Sequence, residues 1–233
     1  MDFKKIVLFG LILFVSLNML AQNGRVIDSL ETILSNEDNS DERFVTLIIL
    51  SNNLIQTDPA KALKYTEDAY QLALNASNKN GRLTASLQLA RIYYFSSDLK
   101  MAMEYASIAE RLAKDLNDDL LLARSMDAIG TIYYDIGNQA KSSECFFLSL
   151  SIYEKLKDNT GIGATFCRIG TLYLDQKDYD KAVDYYSKSI HLAQELENNE
   201  GIASNLNNIA KVYSEKKEYD KAIQSYEKAL RIN

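Results

Sequence analysis

Few side chains in this sequence could carry out chemistry. His191 is the one histidine in 233 residues, set beside Leu192. A single imidazole cannot build a two-histidine metal site, and a catalytic base needs a partner and a pocket that its neighbours do not supply. Cys145 and Cys167 have no metal-ligand spacing. In an oxidising compartment they could pair, provided their Cα atoms come within about 7 Å; two separate thiols on neighbouring helices is the favoured reading. Gly161, Gly163 and Gly170 do not form a phosphate-cradling loop, because each falls in a repeat column or a turn. Asp118 and Asp119 sit in a polar turn, where solvated charge explains them better than a catalytic carboxylate pair. The expectation is a protein without catalysis, cofactor or metal.

The elements that must position these residues are helical. Nine Gly and one Pro leave little turn punctuation for a β-rich fold, and an apolar share of 47% with 15 Tyr and 8 Phe gives ample surface to bury. At the N-terminus, Lys4 and Lys5 precede an apolar run from Ile6 to Leu20 and then Ala21, the pattern of a secretory signal over residues 1–21. An uncleaved membrane anchor is the alternative. The expected location is therefore exported, periplasmic or envelope-associated. Those 21 residues carry a net +1 within a chain of −6, so the remainder stands at −7. Such an acidic surface is a poor partner for nucleic acid, whose binding requires phosphate neutralisation.

Internal self-similarity organises the rest. Ala62, Ala102, Ser142, Ala182 and Ala222 recur every 40 residues, as do Ala90, Gly130, Gly170 and Ala210, followed by Tyr93, Tyr133, Tyr173 and Tyr213. Ala69, Ala109, Ser149, Ser189 and Ala229 keep the same interval. Each unit reads as two amphipathic helices, with small residues where axes approach closely. Met126, Ile129, Gly130 and Tyr133 share one face of a first helix, and Phe146, Ser149, Leu150 and Tyr153 one face of a second. Between them Asp58, Asp98, Asn138 and Asp178 suit N-caps, with Glu218 a weaker one, and Pro59 suits a first helical position. Polar turns over 78–81, 117–119, 157–161 and 197–201 separate successive units. Val26, Ile27, Leu30, Ile33 and Leu34 suit one further amphipathic helix. The organisation expected is thus a capping helix and turn over 22–42, then five helix pairs over 43–233, the first of them degenerate.

The stretch Ile169-Gly170-Thr171-Leu172-Tyr173, then Asp178-Tyr179-Asp180-Lys181-Ala182, then Tyr185-Tyr186, resembles the tetratricopeptide repeat signature, as does the stretch from Ile209 to Ala222. The period of 40 exceeds the usual 34, and the closing Pro is missing; longer units of this kind are similar to those of kinesin light chain and the spindle-orientation adaptors. The resemblance implies an all-α fold, a right-handed α-solenoid of antiparallel helix pairs whose first helices line a concave face. On that face it places Gln88, Arg91 and Tyr94; Ala128, Thr131 and Tyr134; Arg168, Thr171 and Leu174; Asn208, Lys211 and Ser214. In the long-repeat adaptors an Asn two before the small residue holds a peptide backbone, and Asn208 matches it, with Gln88 a near substitute. The Lys and Asn set that clamps a terminal carboxylate in the chaperone-binding class is absent.

The function implied is a protein- or peptide-binding module of an exported bacterial protein, the sensor or interaction region of a larger envelope signalling protein, with a structural scaffold or oligomerisation part as the alternative. Arg91, Arg168 and Lys211 on the groove suggest an acidic ligand or a free carboxylate, unless they pair with Asp127, Asp135, Asp175 and Glu215. The last unit stops about seven residues short of the repeat interval, which suggests a longer native chain with more repeats or a membrane helix; a membrane is expected only through that region or the N-terminal segment.

Overall fold

The computed structural model describes residues 24–37 and 39–232. The expected signal segment, residues 1–21, lies outside the described residues. Among them there are eleven α-helices and no strand: α1 (24–36), α2 (Ser40–Leu54), α3 (Pro59–Asn75), α4 (Lys79–Phe95), α5 (Leu99–Leu116), α6 (Asp119–Asp135), α7 (Gln139–Leu156), α8 (Asn159–Asp175), α9 (Tyr179–Glu195), α10 (Asn199–Glu215) and α11 (Tyr219–Ile232). None is long and apolar enough to cross a membrane. The chain divides between Ser96 and Ser97 into two compact units, each an all-α stack of antiparallel helices.

The turns follow one local rule. Left-handed backbone recurs at Ser77, Ser97, Asn117, Gly137, Lys157, Lys177, Glu197 and Lys217, twenty residues apart each time. The residue after it closes the helix behind and opens the helix ahead. Asn198, for example, donates its N–H to Ala193 O at 2.8 Å while its side chain accepts from Gly201 N at 2.9 Å. The first bond is the six-to-one closure of a helix C-terminus, and the second is an N-cap. Asn78, Asp118, Asn138, Asp158 and Asp178 do the same. The sequence suggested longer polar turns at 78–81, 157–161 and 197–201. In the structure Lys79, Asp119, Asn159 and Asn199 are already helical, because Asn and Asp caps let each helix begin at once. The first paired helix likewise starts at Ser40, capped by Asn39, rather than at 43. Pro59 occupies the first turn of α3.

In the N-terminal unit, α2, α3 and α4 bury Leu54, Ile55, Ala62 and Ile92 together, with Ile27 of α1 packed against them. Glu31 of α1 accepts from Tyr65 Oη at 2.7 Å and pairs with Lys61 at 3.3 Å. Arg43 donates to Leu34 O. Val26 and Ile33, two of the five apolar residues that mark α1 in the sequence, are exposed.

In the C-terminal unit the small-residue column does what the sequence requires of it. A methyl group added at Gly130 would fall 2.7 Å from Phe146 Cε1, and one added at Gly170 would fall 2.9 Å from Tyr186 Cδ1, so the aromatic rings of α7 and α9 occupy the space that glycine leaves. Phe146 and Leu150 pack with Ile169 and Leu172, and Tyr186 and Ala182 with Leu174, Ile209 and Val212. Outside this core, Lys141, Lys181 and Lys221 lie over the rings of Tyr133, Tyr173 and Tyr213 at 4.9 to 5.4 Å, a cation–π contact that recurs in three successive helix pairs. Cys145 and Cys167 are free thiols, both pushed above the ordinary thiol range by burial.

Candidate functional site

Side chains on successive first helices meet about one repeat apart in sequence, at separations of 37 to 41 residues. Arg91 Nη2 donates to Asn52 Oδ1 at 2.8 Å, Tyr134 Oη donates to Asp175, Arg168 Nη1 lies 3.5 Å from Asp127 Oδ2, and Asn208 Nδ2 lies 3.5 Å from Cys167 Sγ. Several of the residues expected to contact a ligand are therefore occupied by the protein itself. Gln88 is buried and donates to Ser51 Oγ at 3.0 Å. Thr131 bonds back to the Asp127 carbonyl, and Thr171 lies 3.0 Å from Tyr186 Oη. Tyr94 is half-buried, edge-on to Phe95. Leu174 is buried, Ala128 and Ser214 are half-buried, and Lys211 is exposed.

Asp127 is the most unusual of these groups. It is buried between α6, α7 and α8, with Ser149 Oγ at 2.9 Å, Thr165 Oγ1 at 3.2 Å and Tyr153 Oη at 3.3 Å from its carboxylate oxygens. Ser149 and Thr165 also lie within reach of the Phe146 and Gly161 carbonyls, and each hydroxyl has one proton to give. Desolvation pushes the Asp127 carboxyl above its ordinary range, against the opposing pull of Arg168 and the three hydroxyls. Arg168 Nη1 is within ion-pair distance yet makes no aligned hydrogen bond, so its attraction to Asp127 is that of a charge rather than of a directed donor.

Arg168 also borders a cleft of about 330 Å³ between α8, α9 and α10, within the range of small-ligand sites. The N-terminal half of α8 supplies Gly163, Ala164 and Cys167; the C-terminal half of α9 supplies Ser189, Leu192, Ala193 and Leu196; α10 supplies Ser204 and Asn205. Asn205 Nδ2 donates to Ser189 Oγ at 2.9 Å and to Gly201 O at 2.8 Å. Ser189 Oγ donates to Gly163 O at 2.8 Å, which links the three helices. Asn205 Oδ1 and Arg168 Nη1 are buried without hydrogen-bond partners. Of the residues read from sequence as groove-lining, Arg168 alone borders this cleft. Among the described residues no three His, Cys, Asp or Glu side chains cluster as metal ligands.

A tetratricopeptide repeat profile matches residues 161–233, the segment that holds most of α8 and all of α9, α10 and α11. Residues 161–233 are tetratricopeptide repeats. No curated protein sequence matches the chain. Among solved structures, BtubC (BKLC) from P. vanneervenii is similar with a TM-score of 0.72 and 15% identity, over 91% of this chain and 88% of that one. A Rap protein complexed with competence and sporulation factor is similar with a TM-score of 0.76 and 15% identity, over 90% of this chain and 58% of that one. The signal transduction ATPase with numerous domains from Pyrococcus horikoshii, which carries a tetratricopeptide repeat sensor, matches with a TM-score of 0.73 and 14% identity, over 93% of this chain and 34% of that one. At these identities the likeness concerns the fold. Outside the matched segment the same twenty-residue turn spacing begins at Ser77.

Proposed function

We propose that this chain is a protein- or peptide-binding module whose ligand sits in the cleft between α8, α9 and α10. One observation carries the reading: Asn205 and Arg168 both line this cleft, and each holds a buried polar atom, Oδ1 and Nη1, without a hydrogen-bond partner. Buried polar groups are ordinarily satisfied, and a ligand that reaches them recovers what desolvation costs. The similar Rap structure, solved with competence and sporulation factor, supports a binding role for a fold of this type. The N-terminal pattern of residues 1–21 supports an exported, envelope-associated setting, where the chain serves as the sensor or interaction region of a signalling protein.

A scaffold role has its own support in α11, where Tyr219, Ile223, Tyr226 and Leu230 are exposed along one stripe. Their counterparts in α9, namely Tyr179, Val183, Tyr186 and Ile190, pack with Ile209, Val212 and Tyr213 of α10. Photo-crosslinking residues placed singly at Ala164, Ser204, Ile223 and Ser151 separate the two. Adducts from Ala164 and Ser204 in native extract, with none from the α7 control at Ser151, are the expected result. Adducts from Ile223 alone would replace the cleft by the scaffold role.

A further inference from the structure

The cleft carries an electrostatic signature that narrows what it can hold. Of its lining residues Arg168 alone is charged, and the Arg168 guanidinium lies 3.5 Å from the Asp127 carboxylate, which does not itself border the cleft. The two charges offset each other, so the cleft offers an anion no net attraction. An anionic ligand would have to draw Arg168 away and leave a carboxylate buried without its counter-charge, an arrangement strongly disfavoured in a protein interior. This runs against the acidic ligand that the cations suggest when read from sequence.

What the cleft does offer is one acceptor and one donor beside apolar walls. Asn205 is 4% exposed. Both hydrogens of its Nδ2 are engaged, by Ser189 Oγ and by Gly201 O, which fixes the orientation of the amide and leaves Oδ1 as the acceptor to be satisfied. Arg168 Nη1 is the donor: it makes no aligned hydrogen bond where it stands, 3.5 Å from Asp127 Oδ2, so it can donate to an uncharged carbonyl without leaving that carboxylate. Ala164, Leu192 and Ala193 supply the apolar surface.

We infer that the cleft takes an uncharged amide group of its ligand, with the ligand N–H on Asn205 Oδ1, the ligand carbonyl on Arg168, and a small apolar group against Ala164, Leu192 and Ala193. The inference rests on the cleft being the ligand seat. A main-chain amide and a side-chain carboxamide share this chemistry, so the probes distinguish them.

The test is an amide chemical-shift titration of the protein with N-methylpropionamide, propionamide and propionate, molecules of closely similar shape. At least one amide should shift the Gly163, Ser189 and Asn205 signals, with propionate about ten-fold weaker, a difference of about 1.4 kcal/mol. The stronger of the two amides identifies the source, secondary for main chain and primary for side chain. Asp127→Asn removes the compensating charge without altering the cleft lining, and should reverse the order so that propionate outcompetes the amides. Should that variant fail to fold, Gly163→Leu, which fills the cleft from its wall, should abolish amide binding. Propionate binding as well as the amides, no amide binding up to the solubility limit, or amide shifts that persist in Gly163→Leu would each overturn the inference. Crosslinks from Ala164 and Ser204 alongside equal binding of all three probes would overturn the amide chemistry and leave the ligand seat standing, whereas loss of the crosslinks would remove the seat itself.

Discussion

Two glycines two residues apart on α8 should respond to the same substitution with opposite signs. At Gly161 an added Cβ would collide with Cδ1 of Tyr153, and the Cε1 and Cγ atoms of that ring would lie only 2.6 Å away. The ring cannot swing clear easily, because Tyr153 is 3% exposed and its hydroxyl reaches Asp127 Oδ2 at 3.3 Å. Overpacking of this kind costs about 1–3 kcal/mol, and a displaced ring also weakens a hydrogen bond worth about 1 kcal/mol. Against this stands the helical preference of Ala over Gly, about 0.5–1 kcal/mol. The net expectation for Gly161→Ala is a loss of about 1–3 kcal/mol. At Gly163 the added Cβ would lie 3.6 Å from Leu192 Cβ, an ordinary contact, so the helical term acts alone and Gly163→Ala should gain about 0.5–1 kcal/mol. For a chain of this length each kcal/mol moves the Tm by about 2–4 °C. Thermal and urea unfolding followed by far-UV circular dichroism should therefore show Gly161→Ala melting earlier and Gly163→Ala later than the parent. Two shifts of the same sign, or an unchanged Gly161→Ala, would refute the packing argument.

Three further outcomes are expected. Lys177→Gly, at an exposed position with φ of 61°, should raise stability by about 0.5–1 kcal/mol by relieving the left-handed strain, while Gly137→Lys, at φ of 78°, should lower it by a similar amount; urea midpoints decide both. Asn198→Ala removes the acceptor for Gly201 N and should cost about 1 kcal/mol, with faster hydrogen exchange confined to the start of α10. Asp127 has a folded-state pKa above the ordinary value of 3.8, so the folded protein takes up its proton first as pH falls, and this group disfavours folding at neutral pH relative to pH near 4. The unfolding free energy of the parent minus that of Asp127→Asn should accordingly rise as pH is lowered from 7 through the folded-state pKa; a difference that is flat or falls would show that burial does not control this carboxylate.

The helix pairing was legible because it is written in residue size. Glycine at 130 and 170 leaves room for Phe146 and Tyr186, and such spacing survives in a single sequence. The twenty-residue turn was not legible, because left-handed positions usually advertise themselves by glycine, and here seven of the eight carry Ser, Asn, Lys or Glu instead. The groove residues follow from the face of each helix taken alone. A single helix face does not show Asn52 under Arg91 or Asp127 under Arg168, although both pairs stand about one repeat apart in the sequence. Asn205 escaped for a related reason: what makes it notable is Ser189 on another helix, which with Gly201 O takes its amide hydrogens and leaves the oxygen alone.

The turn in which one residue ends a helix and starts the next has an implication for how such a chain can change in length. Asn198 and its counterparts leave no spare residues between helices, so one or two residues inserted there would separate the closing bond from the cap. A clean duplication of 20 residues would preserve every turn and still fail, since it would set a helix bearing Tyr186-type rings where a helix bearing Gly170-type gaps is needed. Only a step of 40 restores both turn and packing, and growth or loss of these repeats is therefore confined to whole pairs.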